Sequence, residues 1–557
     1  MGANSLQANQ IALQVSGQNI SNANTPGYIR EEVVLSPAPT QRHGSLLLGL
    51  GVEVLAVVQK IDHFLEERLR GAVSDMANTD TLQQTYAQLE GIIGELSDTD
   101  LSTGLDNLFA SISEILNQPE NVSIRNLAVL QGETLTTEIN RIASRVQELR
   151  ADVNGRVIDM AGDINRLVEE IRVLNIQIAE TEGGSVSRSD AVGLRDQRLQ
   201  ALSDLAELIE IRVAEQPSGG VNVYVGGDYL VFEGTSREVE VVLDSDRGLA
   251  VAEIQIAETA SALQTDSGEL SGLMESRDEV LGNFLDSFDD FVGTMVYEFN
   301  KLYSGGQGLT GFEELTSTFP VDATDEALDD AGLKFTPVNG SFQVMVYNRK
   351  TGLTQTSDVM VDLDGLGEDM TLTGLREALD AIDGISASTT ADGKLTITST
   401  DPNQEFAFAD DTSGVLAALG LNVFFSGSSA LDVGIDTVLK QDPAKFAASR
   451  GGIGVDTQNA ADLAVFLDRP LASQNNKTLI VLYDQLVGET TQGSSVAQAE
   501  AEGAQVFETA LRGQKMATSG VNLDEEAVNM IAYQRAYQAT AKYIKTLSDL
   551  LELLVQL

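Results

Sequence analysis

Few side chains in this sequence are of the types that carry out chemistry. There are two histidines, His43 and His63, and no cysteine. The histidines fit neither a His-Glu-x-x-His pattern nor any comparable ligand spacing, so both read as ordinary surface or core residues. Without cysteine there is no disulfide framework, thiolate metal site or thiol nucleophile. The segment Asp362-Leu363-Asp364-Gly365 begins like a calcium loop but lacks the full ligand pattern closing on a glutamate. Two glycine runs, Gly305-Gly306-Gln307-Gly308 and Gly451-Gly452-Ile453-Gly454, lack the strand-to-helix setting of a phosphate cradle and read as linkers. No catalytic, cofactor-binding or metal residue is therefore assigned, and no cofactor is expected.

The elements must explain the chain instead. Its 557 residues are 42% hydrophobic, enough for several domains with real cores. Acidic residues number 84 against 35 basic ones, a formal net charge of −49. A surface of that sign repels nucleic acid and anionic membranes. The acids are scattered in pairs such as Glu31-Glu32, Glu66-Glu67, Glu169-Glu170 and Asp289-Asp290, which reads as a solvated surface and not a docking tail. No apolar run is long enough to span a bilayer, and the opening residues lack the basic and apolar regions of a cleaved signal.

Leu6, Leu13 and Ile20, with Ile11 and Val15 beside them, predict a short amphipathic helix. The turn formers from Ser21 to Tyr28 end it, since Pro26 biases Thr25 away from helical dihedrals and Gly27 permits positive φ. Ile29 to Val58 reads as extended segments, punctuated by Pro37, Pro39 and the Gly44–Gly51 stretch. From about Asp62 to Ile211 helix dominates, with Ile164, Leu167, Ile171, Leu174 and Ile178 forming a coiled-coil-like stripe. A hairpin follows, in which Val221, Val223 and Val225 alternate with other residues ahead of Gly226-Gly227. Helical spacing resumes from Met274 to Leu302. Strand-like runs Phe342–Val346 and Leu395–Thr398 then flank a helical stretch at Leu372–Ile382. The remainder, from Ala460, is helical with expected interruptions near Gly488–Ser495 and at Gly520. It closes on a stripe of Met530, Tyr533, Tyr537, Thr540, Ile544, Leu547, Leu551 and Leu554, leucine-rich as far as Leu557. Apolar stripes at both chain ends need partners, and pairing with each other or with other chains would satisfy them.

The segment Asn19-Ile20-Ser21-Asn22-Ala23-Asn24-Thr25-Pro26-Gly27-Tyr28 resembles the signature of the flagellar axial family of rod, hook and hook-associated subunits. Gly520 to Ile531, continuing through Tyr533-Gln534-Arg535-Ala536-Tyr537 to Lys542, is similar to the family's C-terminal signature. Within the family, Leu194-Arg195-Asp196-Gln197-Arg198-Leu199, Gly272-Leu273-Met274-Glu275-Ser276-Arg277-Asp278 and the Gly451–Asn459 stretch leading to Tyr483–Gly488 resemble the hook-associated branch at the first junction above the hook. The likeness is weakest from 313 to 450.

The resemblance implies a mainly α fold with β-containing outer domains. A terminal coiled-coil domain formed by both chain ends (1–40 and 515–557) would adjoin a long helical bundle (41–216, 269–312 and 451–514). A small β region (217–268) and an inserted, variable α+β domain (313–450) complete the plan. It also implies a non-enzymatic structural subunit that joins hook to filament and templates filament assembly. Its partners would be copies of itself in a ring, hook protein below, and a second junction protein or filament above. An export chaperone on the C-terminal helix would precede secretion to the extracellular flagellum without a cleaved signal. Leu6, Leu13, Ile20, Met530, Tyr533, Tyr537, Ile544, Leu547, Leu551 and Leu554 would face neighbouring subunits, in ends that fold on assembly. Asn22, Asn24, Thr25, Pro26, Gly27 and Tyr28 would position the elbow. Family members usually carry several more residues ahead of the position matching Gly2, so an altered export signal and first helical turn are expected. The alternatives are another axial rod or hook subunit, or an adhesive surface module carried by the 313–450 insert.

Overall fold

The computed structural model describes residues 2–25, 27–43, 46–94, 100–182 and 189–556; Pro26, Gly44 and Leu557 lie outside them. Along the chain the helices are α1 (Gly2–Asn22), α2 (His63–Ile93), α3 (Leu101–Ile115), α4 (Val122–Glu182) and α5 (Val192–Leu208). They continue with α6 (Glu269–Glu275), α7 (Leu281–Ser304), α8 (Leu372–Asp380), α9 (Val415–Leu419), α10 (Thr437–Gln441), α11 (Gln458–Ala464), α12 (Leu479–Ser519) and α13 (Leu523–Val555). The fold is mainly α with small sheets, and the chain divides into two compact units. Unit 1 holds residues 1–86, 150–280 and 494–557; unit 2 holds 87–149 and 281–493.

In unit 1, Glu31–Pro37 pairs antiparallel with Val52–Gln59, and Thr40–His43 with Leu46–Gly49. The stripe Ile164, Leu167, Ile171, Leu174 and Ile178 on α4 is buried, as its spacing requires. Against this unit's part of α4 lie two antiparallel sheets. One is built from Arg212–Glu215, Val221–Val225, Asp228–Phe232 and Thr235–Ser236; the other from Val239–Asp246, Leu249–Ile256 and Ser261–Ala262. The expected hairpin turns at Gly226-Gly227, with Gly226 at φ 54°.

Asparagines fix these sheets to the helix. The Asn154 side chain donates to Ala250 O (3.0 Å) and accepts from Ala252 N (2.7 Å). Asn165 donates to and accepts from Val239, both at 2.8 Å, and Asn175 does the same with Val221 at 2.7 and 3.0 Å. Each amide satisfies a strand N–H and C=O that burial would otherwise leave unpaired. The Gly272–Asp278 motif closes the same unit. A Cβ on Gly272 would stand 2.8 Å from Asn78 O of α2, so only glycine allows that approach. Arg277 is buried, donating to Asp278 (2.7 and 2.6 Å), Asn154 Oδ1 and Ala252 O.

Unit 2 is organised around aromatic rings. Phe299 of α7 packs on Phe109, Phe424, Phe425 and Phe466, with ring centroids 5.2–5.9 Å apart. Asn300 repeats the asparagine device, donating to Phe425 O at 2.8 Å and accepting from Phe425 N at 3.1 Å. The strand Gly340–Asn348 lies between Leu353–Val361 and Gln404–Ala409, while Leu395–Ser399 lies between Glu314–Thr316 and Ile385–Thr389. Phe342, Val344, Leu375, Leu379, Ile397 and Phe406 form their common core with α8. The helix starts on its Thr371 cap, which accepts from Gly374 N at 3.0 Å. Carboxylate oxygens of Asp362, Asp364 and Asp369 gather within 4.8 Å of one another at the surface. Asp364 and Asp369 accept the backbone N–H groups of Leu366 and Gly365, so they serve the turn.

Two sequence expectations fail. The helix expected from Ala460 stops at Ala464, and the next α-helix begins only at Leu479. Conversely, no interruption occurs at Gly488–Ser495, where α12 runs unbroken. Gly488 and Gly493 each weaken a helix by only about 1 kcal/mol, and the buried Thr490 folds its hydroxyl back onto Leu486 O at 3.1 Å.

Candidate assembly site

The two chain ends meet in unit 1. α13 starts on an Asn522 cap that accepts from Asp524 N (3.0 Å) and Glu525 N (3.4 Å), and three acids in its first turn complement the helix dipole. α1 packs along α13. A Cβ on Gly2 would stand 2.7 Å from Ile544 Cγ1, while Arg30, just past α1, pairs with Glu525 (2.9 Å) and Glu526 (2.7 Å). The helices therefore run antiparallel.

The buried residues of α1 are Ala8, Ala12, Val15, Ser16 and Asn19, mostly small side chains. Small side chains let two helix backbones approach closely. The larger Leu6, Leu13 and Ile20 are only half-buried, as are Met530, Tyr533, Tyr537 and Ile544 on α13. Leu547, Leu551 and Leu554 are 41, 63 and 71% exposed, and Val555 is 85% exposed. The sequence-predicted residues thus divide into a half-buried set at the helix pair and an exposed set toward the α13 C-terminus.

The elbow is held by polar groups. Asn22 O accepts from Thr25 N at 2.9 Å, Thr25 O accepts from Tyr28 N at 3.2 Å, and Gly27 sits at φ 77°. Asn24 is exposed, and the predicted Pro26 falls outside the described residues. Asn19, buried on α1, accepts from Tyr28 Oη at 2.8 Å and brackets Glu31, with its N–H and C=O both at 3.0 Å. Arg30 N donates to Ser519 O at 2.9 Å, tying the elbow to the end of α12. From α5, Asp196 accepts from Gln59 Nε2 at 2.5 Å and from the Ile29 backbone N–H.

Burial dominates the electrostatics here. It raises the Glu31 carboxyl above its usual range, opposed by the Tyr28 hydroxyl beside it. Burial, reinforced by Glu31, pushes Asp196 up to about 7. Burial and Glu31 together hold the Tyr28 hydroxyl far above its ordinary value, so it remains a protonated donor. Asn19, Arg30, Asp196 and Glu526 were missed as site residues by a reading that followed large apolar side chains. A buried-face spacing that includes a lone asparagine was the available signal for Asn19. Nothing nearby in sequence links Asp196 to Gln59 or Ile29. The cluster can hold an elbow rigid; no nucleophile, acid–base pair or ligand set for a reaction emerges among its described residues.

A family model described as the flagellar hook-associated protein FlgK helical domain matches residues 86–317. A second, the flagellar basal body rod FlgEFG protein C-terminal model, matches residues 513–557. The chain is 23% identical to flagellar hook-associated protein 1 of Salmonella typhimurium, over 99% of its own length and 98% of that protein. It is equally 23% identical to flagellar hook-associated protein 1 of Bacillus subtilis, over 98% of this chain and 95% of the relative. Among solved structures, the flagellar hook junction protein FlgK from Burkholderia pseudomallei has a similar fold. Its TM-score is 0.51 at 14% identity, covering 81% of this chain and all of that one.

Proposed function

We propose that the chain belongs to the flagellar hook-associated protein 1 family and, from that premise, that its paired ends join one subunit to the next. It is a structural subunit at the junction of hook and filament, and its homologues are structural flagellar proteins. Among the described residues no helix is long and apolar enough to cross a membrane. In our reading, copies of the chain form a ring on the hook and present a template on which the second junction protein or the filament builds. The protein reaches that place by export without a cleaved signal, and a chaperone covers α13 beforehand.

The observation carrying this reading is the antiparallel α1–α13 pair, with a half-buried seam and an exposed run of Leu547, Leu551 and Leu554. Apolar surface of this kind on a terminal helix gains free energy when a neighbouring subunit covers it, at about 25 cal/mol per Å2 removed from water. Leu6, Leu13, Ile20, Met530, Tyr533, Tyr537 and Ile544 form the remainder of the proposed contact. The elbow residues Asn22, Asn24, Thr25, Gly27 and Tyr28 set the direction of the pair relative to the rest of unit 1. Residues 313–450 are assigned as an outer domain that takes no part in the ring.

The test is a strain whose only copy carries Leu551→Glu and Leu554→Glu. It should make and export the protein, complete its hooks, and shed flagellin monomers into the medium. Normal filaments and wild-type swimming in that strain would overturn the assignment of the interface.

A further inference from the structure

The motif Leu194–Leu199 contains two arginines that the elbow does not use. Both line a cavity of about 380 Å3 in unit 1, bounded by α2, α5 and the strand Arg212–Glu215, together with Arg70 of α2. Arg195 is fully engaged. It donates to both oxygens of Glu182 at 2.7 Å and to Glu215 at 2.8 Å. Glu66, on the same wall, is taken by Lys515 at 2.8 Å, and Glu67 is exposed to solvent.

Arg70 and Arg198 are different. Arg198 is 3% exposed, and its Nη1 donates only to neutral oxygens, Asn175 Oδ1 at 3.0 Å and Gly219 O at 2.6 Å. Its Nε is buried without an acceptor, and so is that of Arg70. Neither guanidinium has a carboxylate within ion-pair distance among the described residues, in a chain with 84 acidic and 35 basic residues. Burial lowers the pKa of both, that of Arg198 to about 10 with Arg195 adding to it; Glu66 and Glu67 near Arg70, and Glu215 and Glu182 near Arg198, offset this only in part. A buried donor left without an acceptor is costly, and a protein that keeps two such guanidinium Nε–H groups in one cavity has donors ready for an oxyanion. Leu199, Leu202 and Val213 supply apolar wall, which favours a ligand with a short carbon body over a bare inorganic ion.

We propose that this cavity binds a small organic carboxylate, with Arg70 and Arg198 donating to its oxygens and its carbon chain lying against the apolar wall. The probe is butyrate, titrated into the full-length protein by calorimetry at ionic strength held constant with chloride, with inorganic phosphate in a parallel arm. Saturable butyrate binding and a raised melting temperature are expected. Arg70→Met should weaken binding about ten-fold or more, the loss of one charge-assisted contact. In chloride alone that variant should melt no lower than wild type, because Met removes the burial cost of a guanidinium that makes no direct ion pair and whose Nε lacks an acceptor. Arg70→Lys, which keeps the charge and loses the planar fork, should bind with intermediate affinity. Butyrate acting no differently from chloride, phosphate binding more tightly than butyrate, or wild-type affinity in both variants would overturn the proposal.

Discussion

Asn19 stands in a helix with its amide against a strand, as Asn154, Asn165, Asn175 and Asn300 do elsewhere. Each fills a strand's N–H and C=O with one side chain, so truncation leaves two buried groups unsatisfied. Asn19→Ala also strips Tyr28 Oη of its acceptor, and should cost about 2–4 kcal/mol, read as a lower urea midpoint and faster exchange at the Glu31 amide. Asp196 gives a pH prediction. Its folded pKa of about 7 lies above the ordinary 3.8, so its contribution favours the folded elbow at low pH and is lost as pH rises through 7. The elbow should therefore melt lower at pH 8 than at pH 5. Asp196→Asn should flatten that dependence and raise the melting temperature at pH 8; an unchanged pH profile in the variant would contradict the assignment. None of these roles was visible in the sequence, because an asparagine or aspartate declares its partner only once distant elements meet.

Helices were the legible elements. The steps of three and four on α4 and α13, and the aromatic spacing of α7, require a buried or partnered face whatever the tertiary context. The α12 error arose because two glycines were weighed as breakers when their helix cost is small against the packing of a long helix. α1 was foreseen as a helix, but its most buried face was not, since small residues give a weak apolar signal. That face also sets an expectation about order. Helices of this length are marginal alone in water, so the α1–α13 pair should exchange backbone hydrogens rapidly in the free monomer and become protected on assembly. Hydrogen exchange of the two states compares them directly; full protection of both ends in the monomer would refute this.

At the scale of the whole molecule, the α+β character of the 313–450 region was readable from its strand periodicity; Phe342, Leu375, Ile397 and Phe406 form a core within it, while its Phe424 and Phe425 pack on Phe299 of α7. How the chain divides into compact units was not legible, since Arg150 falls at a unit boundary within α4, midway along an uninterrupted periodic pattern. If the region serves as an outer domain, replacing 313–450 with a short linker should leave hooks, filaments and swimming speed near wild type, as scored by microscopy. Loss of filaments in that strain would place the region in the junction itself.

The three asparagines of α4 have a consequence when a flagellum turns. Between Asn154 and Asn175 they clamp three strand segments to one stiff helix at intervals of roughly 15 Å. Apolar contacts can slide past one another under shear, whereas these amide clasps have one register and must rupture to move. Torque reaching the strands is thereby shared among the three clasps along the rod, and unit 1 should yield abruptly instead of creeping.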